Sequence, residues 1–527
     1  MPVRSPHPDV EIPSVCLWEF LFADGFGEHV GSSAFVDGAT GASVTFGELQ
    51  EQVLRVAAAL AERGVGRGDV VAVFAPNSLW WPAIFHGVLR ANAVVTTVNV
   101  LNTAGDLATQ LADAGARLLV TTAALLDRAE AAAASVGLDD DAVVVLDGAP
   151  GHPSGRDLLA CTADPPALAV GPEDRAVLPY SSGTSGRPKG VILTHRNLVA
   201  NLVQVRAFVP ELAPGTRFVA VLPLFHIYGM SSLLNQGIHR RVTVVMLPRF
   251  DLVEFLRTVA RYRPQRLHLV PPILLALAKH PAVDSYDLSS VEIVYSGAAP
   301  LGAELAGAVE ERLGCRVVQG YGLTETSPTT HFSPDGVECD VSTVGPLVPN
   351  MEAMVVDPAT GSELPAGEVG ELWCRGPNVM SGYLNDPAAT AATLDGDGWL
   401  HTGDLASVDA DGVFTIKDRV KELIKYKGYQ VPPAELEALL LSHERIADAA
   451  VIGVRDAEGE EVPKAFVVPG PGADLDAAEV MAFVAERVAP YKKVRVVEFI
   501  DAIPKAASGK ILRRELRARG ITSSTRS

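Results

Sequence analysis

The chain has 527 residues and a formal net charge of -19 at pH 7. That length exceeds what one hydrophobic core normally holds, so we expect two or more domains. The negative charge argues against nucleic acid or an anionic membrane as a partner. A content of 48% hydrophobic but only 6% aromatic residues suits a soluble, well-packed α/β protein.

Signals for secretion or membrane insertion are missing from the sequence. The five cysteines have no Cys-x-x-Cys spacing, residues 1–11 are polar and contain prolines, and the last residues are not Ser-Lys-Leu. No apolar run approaches the ~20 residues of a membrane helix. We therefore expect a cytoplasmic protein with no disulfide framework, zinc site, secretory signal or membrane span.

Helix and strand patterns alternate from the N-terminus onward. Residues 45–48 read as a capping box before a helix that ends at Gly64. Residues 70–74 read as a buried parallel strand. The glycines of residues 64–68 hint at a dinucleotide fingerprint, but they precede the strand, so we interpret them as a turn. Further predicted strands, at residues 118–121, 143–146, 218–222, 242–246, 267–270 and 291–296, complete a layered α/β pattern with parallel sheets.

Residues 180–190 alternate hydroxyl side chains with glycines and close on Lys189. Glycines let backbone N–H groups turn onto an anion, the hydroxyls add donors, and the lysine adds a charge. The run predicts a phosphate-holding loop, although it does not match a Walker A motif. A solvated Gly/Ser turn is the alternative for this run taken alone. The candidate phosphate ligands are Ser181, Ser182, Gly183, Thr184, Ser185 and Lys189.

Three more motifs follow. Residues 319–325 come after the mostly apolar residues 315–318, at the predicted carboxyl end of a strand, where ligands of such sheets bind. There Tyr321 could stack on a base, Thr324 could donate to phosphate, and Glu325 could hold Mg²⁺. Residues 399–404 place the Asp404 carboxylate after a glycine turn, which suits ribose hydroxyls. Residues 504–510 place Lys510 on a glycine-containing loop. Each motif is weak alone, but their order and spacing together are specific.

The character of the chain changes near residue 418. Residues 417–428 hold five basic residues among two acidic ones, and a helix with Pro433 near its start follows. We predict a large N-terminal domain of layered α/β subdomains over residues 1–420. A small mobile C-terminal α/β domain covers residues 421–527, with a hinge near Lys421.

Over residues 20–516 these motifs resemble the adenylate-forming superfamily, which contains acyl-CoA synthetases, peptide-synthetase adenylation domains and luciferases. Residues 225–228, 296–300, 381–385 and 421–425 are similar to the 4-coumarate–CoA ligase branch. The resemblance implies an ATP-dependent acid–thiol ligase with ATP, Mg²⁺ and coenzyme A. A carboxylic acid attacks the α-phosphate of ATP and releases pyrophosphate, and the CoA thiol then displaces AMP.

The resemblance also implies roles for individual residues. Lys510 would bridge the acyl carboxylate and the α-phosphate, and Lys425 and Gln430 would serve thioester formation after the small domain swings about Lys421. Asp404 and Arg419 would clamp the ribose. Ala298, Gln319, Gly320 and Tyr321 would form the adenine pocket; Arg249, Lys427 and Gly428 would contact CoA; and His226, Tyr228, Gly297, Gly322, Pro328 and Thr329 would line the acyl pocket.

Several alternatives remain open from the sequence. A 4-hydroxycinnamate-type acid is the favoured substrate, and a medium- or long-chain fatty acid is the main alternative. A peptide-synthetase domain would place an aspartate near His226, and because the chain ends shortly after Lys510 we expect no carrier domain to follow. A luciferase would share the first half-reaction. A catalytically inactive ATP-binding module would be expected to lack Lys189, Glu325 or Lys510.

One motif departs from the plant ligases. In residues 370–376 the cysteine, Cys374, stands one position away from its place in those enzymes. A shift of one residue turns a strand side chain to the opposite face. We therefore interpret Cys374 as structural.

Overall fold

The computed structural model describes residues 2–181, 188–209, 212–213, 215–337, 339–427, 429–456, 459–506 and 509–523. Within these residues the strands form five sheets. Two of the sheets have eight strands and carry most of the chain. Three smaller sheets, of five, two and three strands, lie between residues 3 and 499.

The two eight-stranded sheets are largely parallel, as the alternating pattern predicts. Their parallel strands are buried on both faces, which explains their continuous runs of Val, Leu and Ile. The first sheet runs Gly382–Tyr383, Lys189–Thr194, Arg175–Val177, Val94–Thr97, Val70–Phe74, Ala116–Thr121 and Val143–Val145, with Tyr180–Ser181 paired to Lys189–Thr194. The second runs Thr329–Phe332, Arg316–Gly322, Ile293–Ser296, Arg266–Leu269, Arg217–Ala220, Thr243–Met246, Ser33–Asp37 and Ser43–Thr45.

The smaller sheets are mostly antiparallel. The strands Glu461–Pro469 and Val496–Phe499 form a parallel pair in the three-stranded sheet. The five-stranded sheet runs Val3–Arg4, Glu352–Val356, Gly370–Arg375, Leu400–Val408 and Phe414–Arg419; Ile424–Tyr426 pairs with Tyr429–Val431; and Ile446–Arg455, Glu461–Pro469 and Val496–Phe499 form the last sheet.

Helices connect the strands and cover the sheets. The α-helices are Leu17–Phe22, Phe46–Glu62, Trp80–Arg90, Ala104–Ala114, Leu126–Ser135, Gly155–Leu159, His195–Arg206, Ile227–Gly229, Gln236–His239, Leu252–Tyr262, Pro271–Lys279, Ala303–Leu313, Pro387–Thr393, Pro433–Ser442, Ala477–Ala485 and Arg513–Ser523. A π-helical segment, Met230–Asn235, and short 3₁₀ turns at Gly27–His29, Ala123–Leu125, Asp140–Ala142, Pro281–Ser285, Thr324–Thr326 and Pro490–Lys492 complete the set for the described residues.

The local signals of the N-terminal region are confirmed. The Thr45 hydroxyl accepts from the backbone N–H of Glu48, whose carboxylate accepts in return from the Thr45 N–H. The helix Phe46–Glu62 then ends before Gly64, which has a φ of +73°. Every residue of the strand Val70–Phe74 is buried. Residues 64–68 form the turn between these two elements.

One strand end differs from the prediction. The strand Arg316–Gly322 does not stop at Val318 but continues through the motif that includes Tyr321. It continues because Thr329–Phe332 returns antiparallel beside it and pairs with Gly320 and Tyr321. This pairing holds Gly320, Tyr321 and Gly322 in extended backbone rather than in a loop.

Residues 424–516 build hydrophobic clusters of their own. Ile424, Leu436 and Leu440 belong to one cluster, and Phe466 and Leu516 belong to a second. Lys279, at the end of a helix in the larger region, joins the two regions. Its ammonium donates to the backbone oxygens of Leu441 and Ile446, at 2.9 and 2.8 Å. The boundary at residues 420 and 421 and the hinge at Lys421 stay predictions.

No helix among the described residues combines the length and the apolar character that crossing a bilayer requires.

Candidate active site

A cavity of about 1110 Å³ opens where the two eight-stranded sheets, the five-stranded sheet and the C-terminal region meet. Residues from all of these elements lie in its wall. Sixteen of the predicted site residues line it: Ser181, Lys189, His226, Tyr228, Gly297, Ala298, Gly320, Tyr321, Gly322, Thr324, Glu325, Pro328, Thr329, Arg419, Lys421 and Lys510.

The predicted phosphate end of the cavity is built around Glu325. The hydroxyls of Ser181 and Tyr383 both donate to Oε1 of Glu325, each at 2.9 Å. The Lys189 ammonium lies 4.7 Å from the centre of the Tyr383 ring, a cation–π contact. A carboxylate, a lysine and a serine hydroxyl thus share one end of the cavity. The predicted ligands Ser182, Gly183, Thr184 and Ser185 lie outside the described residues.

Asp404 lies behind the cavity wall rather than in it. Its side chain is buried, and both carboxylate oxygens have partners. The Tyr321 hydroxyl donates to Oδ2 at 2.6 Å, and the Arg419 Nε lies 3.1 Å from Oδ1. Asp404 faces Arg419 across neighbouring antiparallel strands, so the sheet register itself sets this pair. Asp404 therefore orients two side chains, Tyr321 and Arg419, that do line the cavity.

Lys510 reaches the cavity from the C-terminal region. Burial lowers the pKa of its ammonium from the usual 10.5 to about 8, and the positive charge of Arg419 adds to that effect. The carboxylates of Asp404 and Glu325 act in the opposite direction. The ammonium is thus poorly solvated, and the nearby carboxylates only partly balance its positive charge. This environment favours the binding of an anionic ligand beside it.

The predicted adenine pocket is only partly in the cavity wall. Ala298 lines it with a φ of +69°, a left-handed conformation that costs a non-glycine residue energy and is held here by its surroundings. Gly320 has no room for a side chain, because a Cβ would lie 2.9 Å from the Phe332 ring. The buried Gln319 does not line the cavity; its amide oxygen accepts from the Leu301 N–H at 3.0 Å and its amide nitrogen donates to the Leu301 oxygen at 3.1 Å.

His226 and Tyr228 form one wall of the predicted acyl pocket. Burial and the nearby Lys510 charge lower the pKa of His226 to about 4, so the imidazole is neutral at pH 7. The Tyr228 hydroxyl donates to the backbone carbonyl oxygen of Tyr295 at 3.2 Å, and a Cβ at Gly297 would lie 3.1 Å from the Tyr228 ring. This wall is therefore flat, because the Tyr228 ring packs directly against Gly297, which has no side chain.

The opposite part of the pocket depends on Gly322. A Cβ there would lie 1.8 Å from the Pro328 oxygen, so no other residue fits this close approach. Pro328 follows a cis peptide bond, and Thr329 begins the returning strand. These residues line the cavity together with Phe332.

The residues predicted for thioester formation lie away from the cavity. Lys425 pairs with Gln430 across a two-stranded hairpin, and both side chains are exposed. Lys427, at the turn of that hairpin, and Arg249, in the larger region, are also exposed and do not line the cavity. Gly428 lies outside the described residues.

Sequence reasoning missed several residues of the cavity. Tyr383 lies in residues 381–385, whose sequence resembles the ligase branch, but it is not among the predicted site residues, although it contacts both Glu325 and Lys189. His268, Arg266 and Tyr295 lie in strands whose apolar character indicated only core. The sequence feature that could have identified them as cavity residues is a polar side chain inside an otherwise apolar parallel strand.

Cys374 is fully buried in the strand Gly370–Arg375. Burial raises the pKa of its thiol far above the usual value, so the thiolate is not formed at neutral pH. This environment supports the interpretation of Cys374 as structural.

The sequence and the fold match known proteins over nearly their whole length. The family model of AMP-binding enzymes matches residues 23–384, and the model of the AMP-binding enzyme C-terminal domain matches residues 435–510. The chain belongs to this family.

Similar proteins include 4-coumarate–CoA ligase 2 of Oryza sativa, 43% identical over 98% of this chain and 94% of that protein. The 4-coumarate–CoA ligase of Pinus taeda is 41% identical over 98% and 97%. A solved anthranilate CoA ligase in complex with anthranoyl-AMP superposes with a TM-score of 0.90 at 26% identity, over 98% of this chain and 99% of that one. ATP-bound MatB from Rhodopseudomonas palustris has a TM-score of 0.87 at 30% identity, over 96% and 99%. The chain is an AMP-forming acid–CoA ligase of that family.

We expect Tyr321→Phe to weaken ATP binding about 10-fold. The substitution removes the hydrogen bond between the Tyr321 hydroxyl and Asp404, and hydrogen bonds to charged groups contribute about 1.5–3 kcal/mol. Isothermal titration calorimetry with ATP would measure the change. Tyr262→Phe is the matched control, because the Tyr262 hydroxyl is buried, outside the cavity, and has no partner among the described residues. Equal affinities in both variants would contradict the role of Tyr321.

Proposed function

We propose that the acid activated by this ATP-dependent acid–CoA ligase is a 4-hydroxycinnamate-type acid. Relatives that are 40–44% identical over 98% of the chain are named 4-coumarate–CoA ligases or 4-coumarate–CoA ligase-like proteins. The flat face of Tyr228, closed against Gly297, supports a planar acyl group. The observation that carries the proposal is this flat wall in the cavity that also contains Lys510, Lys189 and Glu325.

In the first half-reaction the acid carboxylate attacks the α-phosphate of ATP, forming acyl-AMP and releasing pyrophosphate. Two anions approach each other slowly unless their charge is neutralised and their atoms are aligned. Lys510 supplies a poorly solvated positive charge between the acyl carboxylate and the α-phosphate. Ser181 and Lys189, together with Ser182, Gly183, Thr184 and Ser185, hold the β- and γ-phosphates, with Thr324 as a further donor.

A second set of residues in the cavity wall binds the nucleoside part of ATP. Arg419, oriented by Asp404, and Tyr321 lie at the ribose. Ala298 and Gly320 lie beside the adenine, and the side chain of Gln319 supports the loop at Leu301 behind them. A backbone without side chains at Gly320 lets the base approach closely.

Mg²⁺ is the metal that fits this chemistry. Glu325 already has two hydroxyl donors on Oε1, whereas Oε2 has no donor among the described residues. One carboxylate together with substrate phosphates is the usual protein contribution to a Mg²⁺ site. When bound, Mg²⁺ would neutralise phosphate charge during pyrophosphate departure.

In the second half-reaction the CoA thiol attacks the acyl carbonyl and AMP leaves. The exposed hairpin of Lys425 and Gln430 serves this step after the small domain, residues 421–527, turns about Lys421. Arg249, Lys427 and Gly428 contact CoA. The contacts of Lys279 with the backbone oxygens of Leu441 and Ile446 support a domain orientation suited to the first half-reaction, because they hold the domain while Lys510 is in the cavity.

Two alternatives have less support. A fatty acyl group that reached beyond Tyr228 would cover the unpaired Nδ1 of His268 without offering it a hydrogen bond. An inactive ATP-binding module would not need Lys510, Glu325 and Lys189 in one cavity.

The free state of the five cysteines supports a cytoplasmic location.

The substrate is tested by AMP formation from ATP, Mg²⁺ and CoA across 4-coumarate, cinnamate, caffeate, benzoate, octanoate and palmitate. We expect the highest kcat/KM for the hydroxylated phenylpropenoic acids, because the pocket is flat beside Tyr228. A reaction without CoA is the control for uncoupled ATP hydrolysis. Turnover led by octanoate or palmitate would identify a fatty acyl-CoA synthetase instead.

Two variants test the division of labour between the half-reactions. We expect Lys510→Ala to lower the adenylation rate about 10²–10³-fold, the usual effect of removing one preorganised charge, and to spare thioester formation from supplied acyl-AMP. Lys425→Ala should lower the rate of thioester formation and spare the adenylation rate. Pyrophosphate release measures the first step, and acyl-CoA formation from acyl-AMP measures the second. Equal losses in both steps for either variant would contradict this assignment.

The lowered pKa of Lys510 predicts a pH dependence of adenylation. The ammonium is charged below its pKa of about 8 and neutral above it. The kcat/KM for ATP, which reports the free enzyme, should therefore be flat below pH 8 and fall up to tenfold per pH unit above it. Pyrophosphate release without CoA avoids the titration of the thiol. In Lys510→Arg the guanidinium stays charged, so the alkaline fall should disappear while the maximal rate is reduced; an unchanged alkaline fall would contradict the assignment.

A further inference from the structure

The cavity continues beyond Tyr228 to an end whose wall contains polar side chains beside Phe218 and Phe332. His268, Arg266 and Tyr295, from neighbouring strands of the second eight-stranded sheet, line this end. The ring centre of His268 lies 5.0 Å from those of Phe218 and Tyr295 and 6.3 Å from that of Tyr228. We call His268, Arg266, Tyr295 and Asp335 the distal polar cluster.

His268 is the member of this cluster whose hydrogen bonds are not satisfied. Its side chain is only 9% exposed, and its Nδ1 is buried without a partner. Neither ring nitrogen is bonded to any part of the chain that the structure describes. Buried polar groups are almost always hydrogen-bonded, so Nδ1 of His268, in the wall of a cavity, leaves a hydrogen-bonding position open to a ligand or to water.

The rest of the cluster is internally paired. The Arg266 guanidinium donates to the Asp335 carboxylate and to the Tyr295 hydroxyl, and that hydroxyl donates to Asp335 Oδ1 at 2.8 Å. Both charged side chains are almost fully buried, at 10% and 5% exposed. The positive charge of Arg266 is therefore already balanced. This end of the cavity suits a neutral polar group better than a second carboxylate.

The residues beside each end of the proposed acyl pocket indicate the direction in which an acid would bind. His226 lies close enough to Lys510 for the lysine charge to contribute to its lowered pKa, so this is the carboxylate end. Tyr228 lies two residues after His226, and its hydroxyl donates to the backbone carbonyl oxygen of Tyr295 at 3.2 Å. The His268 ring packs against the Tyr228 ring. A planar acid with its carboxylate at Lys510 thus points its far end at His268.

We propose that His268 is a specificity-determining residue that hydrogen-bonds a neutral polar substituent, such as a phenolic hydroxyl, at the end of the acyl group remote from the carboxylate. The inference rests on the proposed function, because it requires that the cavity bind the acid in this direction.

The protonation state of His268 fits this role. Burial and the charge of Arg266 lower the pKa of its imidazole to about 3, so the ring is neutral at pH 7. A neutral imidazole offers one N–H donor and one acceptor nitrogen. A phenolic hydroxyl matches either one, whereas a hydrogen atom or an alkyl chain at that place matches neither.

The test compares two acids that differ by a single hydroxyl, 4-coumarate and cinnamate. The kcat/KM ratio of the two acids is measured for the wild type, His268→Phe and His268→Gln by pyrophosphate release. We expect the wild type to favour 4-coumarate about 10-fold or more, the cost of leaving a buried polar group unpaired. His268→Phe should bring the ratio close to one, because the kcat/KM for 4-coumarate should fall through its KM by much more than the kcat/KM for cinnamate changes. His268→Gln should restore part of the preference.

His86→Phe is the matched control. His86 is also fully buried with unpaired ring nitrogens and a lowered pKa, but it does not line the cavity. Its ratio should equal that of the wild type. If His268→Phe fails to fold, His268→Leu, which is smaller, takes its place in the comparison.

Three results would overturn the inference while leaving the ligase activity intact. They are a wild-type ratio near one, an unchanged ratio in the apolar His268 variant, and faster turnover of 4-carboxycinnamate than of 4-coumarate. Failure of the proposed function looks different: the wild type would turn over neither acid.

Discussion

The burial of one ammonium group, that of Lys510, is the constraint on which the site depends. Burial and Arg419 lower its pKa to about 8, while Asp404 and Glu325 oppose that shift. A charge removed from water in this way is destabilising unless the surrounding contacts offset it. The contacts of Lys279 with the backbone oxygens of Leu441 and Ile446 help to hold the C-terminal region in place while Lys510 is in the cavity.

Two tyrosines organise the acidic side of the same site. Tyr321 donates to Asp404, and Tyr383 donates to Glu325. In each pair a rigid side chain from a strand fixes the direction of a carboxylate. Donors and charges fixed before the ligand arrives need no reorganisation during reaction, which is the main source of electrostatic catalysis.

The proposed acyl pocket differs in polarity along its length. Its proposed carboxylate end lies at Lys510, its middle is the flat contact of Tyr228 with Gly297, and its far end is the distal polar cluster. Because Arg266 is paired with Asp335, the far end is polar without carrying net charge. Length, flatness and a neutral polar end together would select the acid.

The sequence by itself determined the features that depend only on residues close together in the chain. The capping box at Thr45, the buried strand Val70–Phe74 and the motif residues Ser181, Glu325 and Lys510 all follow from local patterns. Tertiary structure alone decided which side chains face the cavity. Asp404 and Gln319 turned inward to protein partners, and His268 emerged from an apparently apolar strand. The physical reason is that side-chain direction at the cavity is set by contacts between residues far apart in the chain, such as Tyr321 with Asp404, and local periodicity carries no information about such contacts.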